Sequence, residues 1–414
     1  MPSAEIDRRQ LLRLSAGGAA AMPFLASAGA SALASQAPPL DPRLPAGVAT
    51  EALLEALPGK APLIKLAYRP PNYEAPLSVF KDTITPNDQF FVRYHLSDIP
   101  NVNAATWRLA VGGEGASTPF ELGFEDLKMK YEPVELVAVC QCSGNRRGLA
   151  EPHVAGVQWA VGAMGNARWK GARLKDILDK AGLKSEAIEI AFDGADGPAL
   201  DTTPDFVKSL PVWKALDPDT IVAYEMNGEP LPHFNGFPAR LIAPGWTATY
   251  WMKHLTRIEA RTKPLDNFWM KTAYRVPARL FPSTQRFVSQ ESPATTPITE
   301  IMVNSLITSP IGAEVKVGEM LTIEGIAWDA GFGIAAVEIS QDGGKSWTSA
   351  ELGPELGRYS FRSWQFSLGR PAKGNLEVLA KATNVIGQSQ PMKALPNPAG
   401  YHHNAVARLA ITVA

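Results

Sequence analysis

Between Gln89 and about Ala260, apolar residues fall into short β-rich runs, among them Phe90-Phe91-Val92-Arg93-Tyr94-His95 and Val134-Glu135-Leu136-Val137-Ala138-Val139-Cys140. One segment, Ala172 to Ala181, has helical spacing and stops at Gly182, a residue suited to a helix C-terminus. This mixture predicts an α+β body. From Ala313 onward the texture changes to alternating strands at Met320 to Trp328, Ala336 to Ser340 and Leu376 to Ala382, with Asp342-Gly343-Gly344 as a turn. Short strands at roughly 10-residue spacing predict an all-β, immunoglobulin-like sandwich without the disulfide pair.

Prolines mark the joints. Residues 35–80 carry Pro38, Pro39, Pro42, Pro45, Pro58, Pro62, Pro70, Pro71 and Pro76, which favours an extended arm wrapping the body. A second proline-bearing connector separates body from sandwich, so the expected plan is an arm over 35–80, a body over 81–275, a linker over 276–300 and a sandwich over 301–414. The first 34 residues read as a leader. Asp7-Arg8-Arg9-Gln10-Leu11-Leu12-Arg13 precedes a mildly apolar Ala/Gly-rich run that closes at Ala32-Leu33-Ala34, the pattern of a twin-arginine signal peptide. An ordinary secretory signal with two chance arginines is the alternative. Export of an already folded chain points to a cofactor inserted before export and to a periplasmic location. No other stretch approaches the ~20 apolar residues of a bilayer span.

The 414 residues carry 40 Lys plus Arg against 41 Asp plus Glu, a formal charge of -1, so no global field favours nucleic acid or an anionic membrane. Any anion site must be local. The two cysteines, Cys140 and Cys142, are too close together to staple a fold. They sit in Val139-Cys140-Gln141-Cys142-Ser143-Gly144-Asn145-Arg146-Arg147, where a strand delivers a thiol into a small-residue turn followed by two guanidinium groups. Cations near a cysteine favour its thiolate, the form that binds a metal or attacks an electrophile. A phosphatase-like reading competes, because Cys140 and Arg146 have Cys-x5-Arg spacing, although Val139 and Gly144 do not fit that loop. A buried strand cysteine beside structural arginines is the bland alternative.

Cys142-Ser143-Gly144-Asn145-Arg146-Arg147 resembles the Cys-x-Gly-Asn-Arg-Arg motif of the sulfite oxidase family, and Phe91-Val92-Arg93-Tyr94-His95-Leu96 resembles its Phe-Val-Arg-x-His-x motif. Ala223 to Pro232, Gly236-Phe237-Pro238-Ala239-Arg240, Pro244-Gly245 and Lys253 extend the resemblance, which covers about 80 to 414. It implies a molybdopterin-binding catalytic domain followed by a dimerisation domain, and a molybdenum-molybdopterin cofactor ligated by Cys142, with Cys140 as a core neighbour. Arg93 and Arg147 are implied at the substrate pocket, and Tyr274 resembles the active-site tyrosine. Phe91, His95, Asp196, Asn235, Arg240 and Lys253 fall where the family grips the pterin and its phosphate. The family's common histidine before Gly-Phe-Pro is Asn235 here, while His233 lies two residues earlier. Without the resemblance, His95 reads as a satisfied strand histidine, and Arg240 or Lys253 as an ordinary surface charge.

The implied activity is sulfite dehydrogenation by oxygen-atom transfer, with electrons passed to a c-type cytochrome, since the sequence holds no Cys-x-x-Cys-His haem motif. Oxidation of carrier-bound sulfur and reduction of a sulfoxide are rivals on the same fold. A non-catalytic binding protein whose metal site has decayed is the rival from another class. Gly331-Phe332-Gly333-Ile334-Ala335-Ala336 fits a dinucleotide fingerprint but lies inside the expected sandwich with no helix after it. His402-His403 has no partner ligands at metal-site spacing and is expected at a surface or interface.

Overall fold

A computed structural model describes Leu44 and residues 53–281, 294–312 and 314–414; the expected leader, the start of the arm and the centre of the linker lie outside the described residues. The body is built on two five-stranded sheets. One runs in the order Lys208–Pro211, Glu189–Gly194, Leu255–Arg261, Arg108–Gly112, Phe120–Gly123, with Leu255–Arg261 parallel to Arg108–Gly112. The other runs Glu229–Pro230, Ile221–Met226, Met164–Arg173, Pro133–Gln141, with Arg240–Ile242 also pairing on Ile221–Met226. The helix Leu174–Ala181 buries Leu174, Ile177, Leu178 and Ala181, the three- and four-residue spacing of a single face, and Gly182 ends it at φ 66. It starts two residues later than its spacing predicts, because Ala172 and Arg173 still pair with Val222 and Ile221.

Residues 53–80 do not form the expected extended arm. Leu54–Glu55, Leu63–Ala67 and Asn72–Glu74 join Val92–Arg93 in a four-stranded sheet over buried Leu63, Tyr73, Val92 and Tyr94. The prolines permit this because Pro58, Pro70 and Pro71 occupy turns, where no ladder donor is required. Glu74 docks the sheet: its carboxylate accepts the Ala160 N–H at 2.9 Å, and the Ala75 N–H donates to Gly162 O at 3.0 Å. Gly162 is obligatory there, since a Cβ would lie 1.9 Å from Ala75 O. Of the run Phe90 to His95 only Val92–Arg93 is strand; the residues after it turn into the site described below.

The C-terminal part is a two-sheet sandwich. Asn304–Ser309, Leu321–Trp328, Arg362–Gly369 and Glu351–Leu352 form one sheet, and Glu314–Val315, Ala407–Val413, Gly374–Asn384, Ile334–Ser340 and Thr348–Ser349 the other. Ile323, Val337, Val378 and Ala380 are fully buried between them. Gly331 and Gly333 make a turn into the strand Ile334–Ser340, so no helix N-terminus follows the dinucleotide-like pattern. A separate core joins sandwich to body, with Phe80, Val139 and Met164 against Ile326, Trp328 and Phe361. His402 and His403 are a correction to the surface expectation: both are 8% exposed, because the segment after Gln390 folds back onto the body. Burial pushes His402 down to about 3, and its ring lies 5.0 Å from that of Phe281. No helix among the described residues is long and apolar enough to cross a membrane.

Burial raises the Glu74 carboxyl from its ordinary 4.5 to about 8, so folding takes up a proton there. Its contribution is full below pH 4.5 and is lost as pH rises through about 8. Glu74→Gln, which keeps an acceptor for Ala160, should therefore flatten the fall in thermal stability between those limits by roughly 2–4 kcal/mol. Melting curves across that range check it; an unchanged slope assigns the pH dependence elsewhere.

Candidate active site

Strand alternation determines which sulfur is usable. Along Pro133–Gln141, Ala138 and Cys140 face the body core while Val139 and Gln141 face the sandwich, where Gln141 Oε1 accepts the Trp328 indole N–H at 2.7 Å. Cys142, one residue past the strand, returns to the side of Cys140 but in a turn: its N–H donates to Ala163 O, and its carbonyl accepts the Asn145 N–H, both at 2.9 Å. Cys142 thus lines a cavity. Cys140 is fully buried, and its sulfur accepts from Arg240 Nη2 at 3.3 Å.

Phe91, Arg93, His95, Asp196, Asn235, Arg240, Lys253 and Tyr274 line the same cavity. They arrive from six places in the chain: the segment around Val92–Arg93, the loop after Glu189–Gly194, the turn His233–Asn235, the strand Arg240–Ile242, the approach to Leu255–Arg261, and the residue preceding Arg275–Pro277. Asn235, not His233, is on the wall; the His233 ring packs against Phe234 and His254, at 5.1 and 5.7 Å, beside an outer groove.

Arg147 does not line the cavity. Its Nε donates to Ala399 O at 2.7 Å, its Nη1 to Val157 O at 3.1 Å, and its guanidinium lies 5.3 Å over the Tyr401 ring. Tyr401 in turn stacks on Tyr274 at 5.6 Å, so Arg147 stands one ring behind the wall. Gly144 makes the room, since a Cβ there would lie 2.6 Å from the guanidinium. Arg146, at φ 68, turns the other way and donates to Asn304 Oδ1 in the sandwich. That orientation removes the phosphatase-like reading, which needs Arg146 beside Cys140.

The electrostatics are one-sided. Burial and the neighbouring Arg240 and Arg93 push Lys253 well below its ordinary value; its ammonium donates to Arg93 O at 2.8 Å. Asp196 is the carboxylate on the wall, and burial raises it to about 6 against the pull of Lys253. The Tyr274 hydroxyl accepts from Arg93 Nη2 at 3.2 Å and is hydrogen-bonded to His95 Nε2. Burial, with Arg93, Lys253 and Lys208, pushes His95 well down, while burial raises Tyr274, so the imidazole and the phenol that share this hydrogen bond are both neutral.

Sequence reading missed Phe206, which stacks on His95 at 3.5 Å, and Trp269, 5.1 Å from the same ring. It also missed Lys208, 1% exposed, whose ammonium donates to Trp269 O and lies 5.4 Å over the Tyr274 ring. Nothing local marks these residues; each is joined to the site only by folding.

Among the described residues, Ser143 Oγ, Thr249 Oγ1 and Arg240 Nε are buried without a hydrogen-bond partner. Ser143, Thr249 and Arg240 line the cavity, so its spare groups, two hydroxyls and a guanidinium N–H, can all donate beside a cationic wall. Such a lining is costly when empty of anion and suits an anionic, acceptor-rich group beside a thiol.

The oxidoreductase molybdopterin binding domain family matches residues 95–269, and the Mo-co oxidoreductase dimerisation domain family matches 295–414. Mitochondrial sulfite oxidase of Macaca fascicularis is 33% identical over 373 residues, covering 86% of this chain and 67% of that protein. Sulfite oxidase of Gallus gallus is 32% identical, covering 79% and 72%. The sulfane dehydrogenase SoxCD structure from Paracoccus pantotrophus shares the fold, with a TM-score of 0.71, 24% identity, and coverage of 84% and 88%.

The two sulfurs separate by experiment. Cys142→Ser should remove a sulfur ligand from the molybdenum after expression in a cofactor-competent host, whereas Cys140→Ser should leave the sulfur count unchanged, because an oxygen there still accepts from Arg240. X-ray absorption at the molybdenum edge of both purified variants reads this; an unchanged sulfur count in Cys142→Ser would refute the ligand assignment.

Proposed function

This chain belongs to the sulfite oxidase family of molybdopterin oxidoreductases, and from that premise we propose that it oxidises sulfite to sulfate as a sulfite dehydrogenase. Its cofactor is a molybdenum-molybdopterin group, held through Cys142 and gripped by Phe91, Arg93, His95, Asp196, Asn235, Arg240 and Lys253. When bound, the group supplies oxygen-atom transfer and storage of two electrons. The observation that carries the reading is the convergence of Cys142, Arg93 and Tyr274 on one cavity whose unpaired polar groups can all donate to an anion.

The side chains divide the remaining work. Arg93 is held in plane by its bonds to Tyr94 O and Tyr274 Oη, leaving the rest of its fork to present paired donors to an oxyanion. Tyr274 keeps its proton and can donate it in a hydrogen bond to a substrate oxygen. Phe206 and Trp269 cover the His95 ring and keep water from that bond. Arg147, behind Tyr401, adds positive potential at Tyr274 without competing for the anion's coordination. The balance is sulfite plus water to sulfate, two protons and two electrons.

The electrons pass to a c-type cytochrome, the chain reaches the periplasm by the twin-arginine route, and residues 301–414, read as immunoglobulin-like, pair two copies in a homodimer. The motif Asp7-Arg8-Arg9-Gln10-Leu11-Leu12 supports the route, and the match of 295–414 to a dimerisation family supports the pairing.

The test is sulfite-dependent reduction of cytochrome c and ferricyanide by molybdenum-loaded protein. Molybdenum without sulfite turnover would overturn the substrate while leaving the cofactor. Arg93→Gln should raise KM for sulfite at least about tenfold, with Arg93→Lys in between, because one ammonium cannot reproduce a planar pair of donors. Tyr274→Phe should lower kcat roughly 10–100-fold with a smaller change in KM. Steady-state kinetics across a sulfite series separates the two patterns, and equal effects on both constants in both variants would contradict these roles.

A further inference from the structure

Leu57-Pro58-Gly59-Lys60 is a tight turn: Pro58 suits its second position, Gly59 has φ 72, and the Lys60 N–H donates to Leu57 O at 2.9 Å. The turn aims Lys60 inward, where it is 7% exposed. Its ammonium has three hydrogens and meets three oxygens, Asn87 O at 2.6 Å, Phe90 O at 3.1 Å and Asn235 Oδ1. Burial pushes this amine to about 7, with Arg240 adding to the shift and Asp88 opposing it. Burying a long, flexible cation is costly, and the three hydrogen bonds that offset this cost fix the groups that make them.

What it organises is Asn235. With Oδ1 on Lys60, Nδ2 donates to Phe91 O at 3.1 Å, and the Asn235 backbone carbonyl accepts Arg240 Nη1 at 3.1 Å. A flipped amide would set its NH2 against the ammonium and its oxygen against the Phe91 carbonyl. The lysine and the carbonyl therefore hold one orientation, and Asn235 joins two other wall residues, Phe91 and Arg240. The second strand of the hairpin carrying Lys60 pairs with Asn72–Glu74 and buries Leu63 beside Tyr73 and Val92, whereas its turn meets the body through Lys60 and through the Ala61 N–H, which donates to Asp88 O at 3.0 Å; Lys65 pairs with Glu55 at 2.6 Å within the hairpin.

We propose that Lys60 is a positioning residue that latches the 54–67 hairpin to the cofactor cavity through Asn235, so that hairpin docking and cofactor retention are one coupled equilibrium. The inference rests on the molybdopterin group occupying this cavity and is independent of the substrate. Coupling is reciprocal: if the docked lysine steadies the wall around the cofactor, the bound cofactor must steady the docked lysine.

Two measurements test it on the full chain. Molybdenum-to-protein ratio and pterin fluorescence in the filtrate follow cofactor release during incubation in mild denaturant, for wild type, Lys60→Met and the hairpin control Lys65→Met. Hydrogen exchange follows the backbone amides of 57–65 in cofactor-loaded wild type and in wild type from a host lacking the cofactor. The expected result is release at least about fivefold faster in Lys60→Met only, and slower exchange of those amides in loaded than in cofactor-free protein. Release at the wild-type rate in Lys60→Met, or equal acceleration in Lys65→Met, overturns the latch. So does equal exchange in loaded and cofactor-free wild type, a comparison that needs no variant to fold.

Discussion

A group of basic side chains with little acidic compensation around one cavity is the constraint on which the rest of the structure depends. Arg93, Arg240 and Lys253 line it, Lys60 and Lys208 stand immediately behind it, and Asp196 is the carboxylate on its wall. Their hydrogen bonds go largely to neutral groups, backbone carbonyls, the Asn235 amide, the Tyr274 hydroxyl and the Cys140 sulfur, which hold the side chains without neutralising them. Aromatic faces do the same: Trp169 and Trp251 lie 5.5 and 5.8 Å from the Arg240 guanidinium. Such an arrangement is unfavourable alone and favourable around an anion, so the fold and the cofactor stabilise each other.

The sandwich takes part in this arrangement rather than hanging from it. Trp328 holds Gln141, Asn304 holds Arg146, and Ala399 with Tyr401 holds Arg147, so three positions of the Gln141 to Arg147 segment are tied to the C-terminal part. Cys142 lies between those anchors. A disturbance of the sandwich would therefore reach Cys142 through one short loop, and removal of this part is not equivalent to loss of an interface alone.

Much of the site was legible beforehand, but through motif resemblance more than through pattern. Alternation located Pro133–Gln141 and the sandwich strands because period-two burial leaves a direct trace in the residues. Residues 53–80 depart from the extended arm that their proline content predicts, because Pro58, Pro70 and Pro71 sit in turns and leave the strand ladders intact. Local spacing left Cys140 and Arg146 as a plausible pair; only the left-handed backbone at Arg146, which turns its side chain toward Asn304, separates them.

By itself the sequence determined the elements and the reactive types: strand periodicity, the helix stop at Gly182, the thiol in a turn, and the order of the two arginine-bearing motifs. These depend on neighbours within a few residues, so they are written in the chain. Local pattern left open what the motif resemblance implied and tertiary structure showed, that Cys142 rather than Cys140 faces the cavity and that Asn235 rather than His233 is on its wall; tertiary structure alone decided that Arg147 stands behind Tyr401. It also brought Lys60, Lys208 and Phe206 to the site. Those outcomes depend on which faces of distant elements meet, and on where desolvated charges find partners, and no local pattern encodes either.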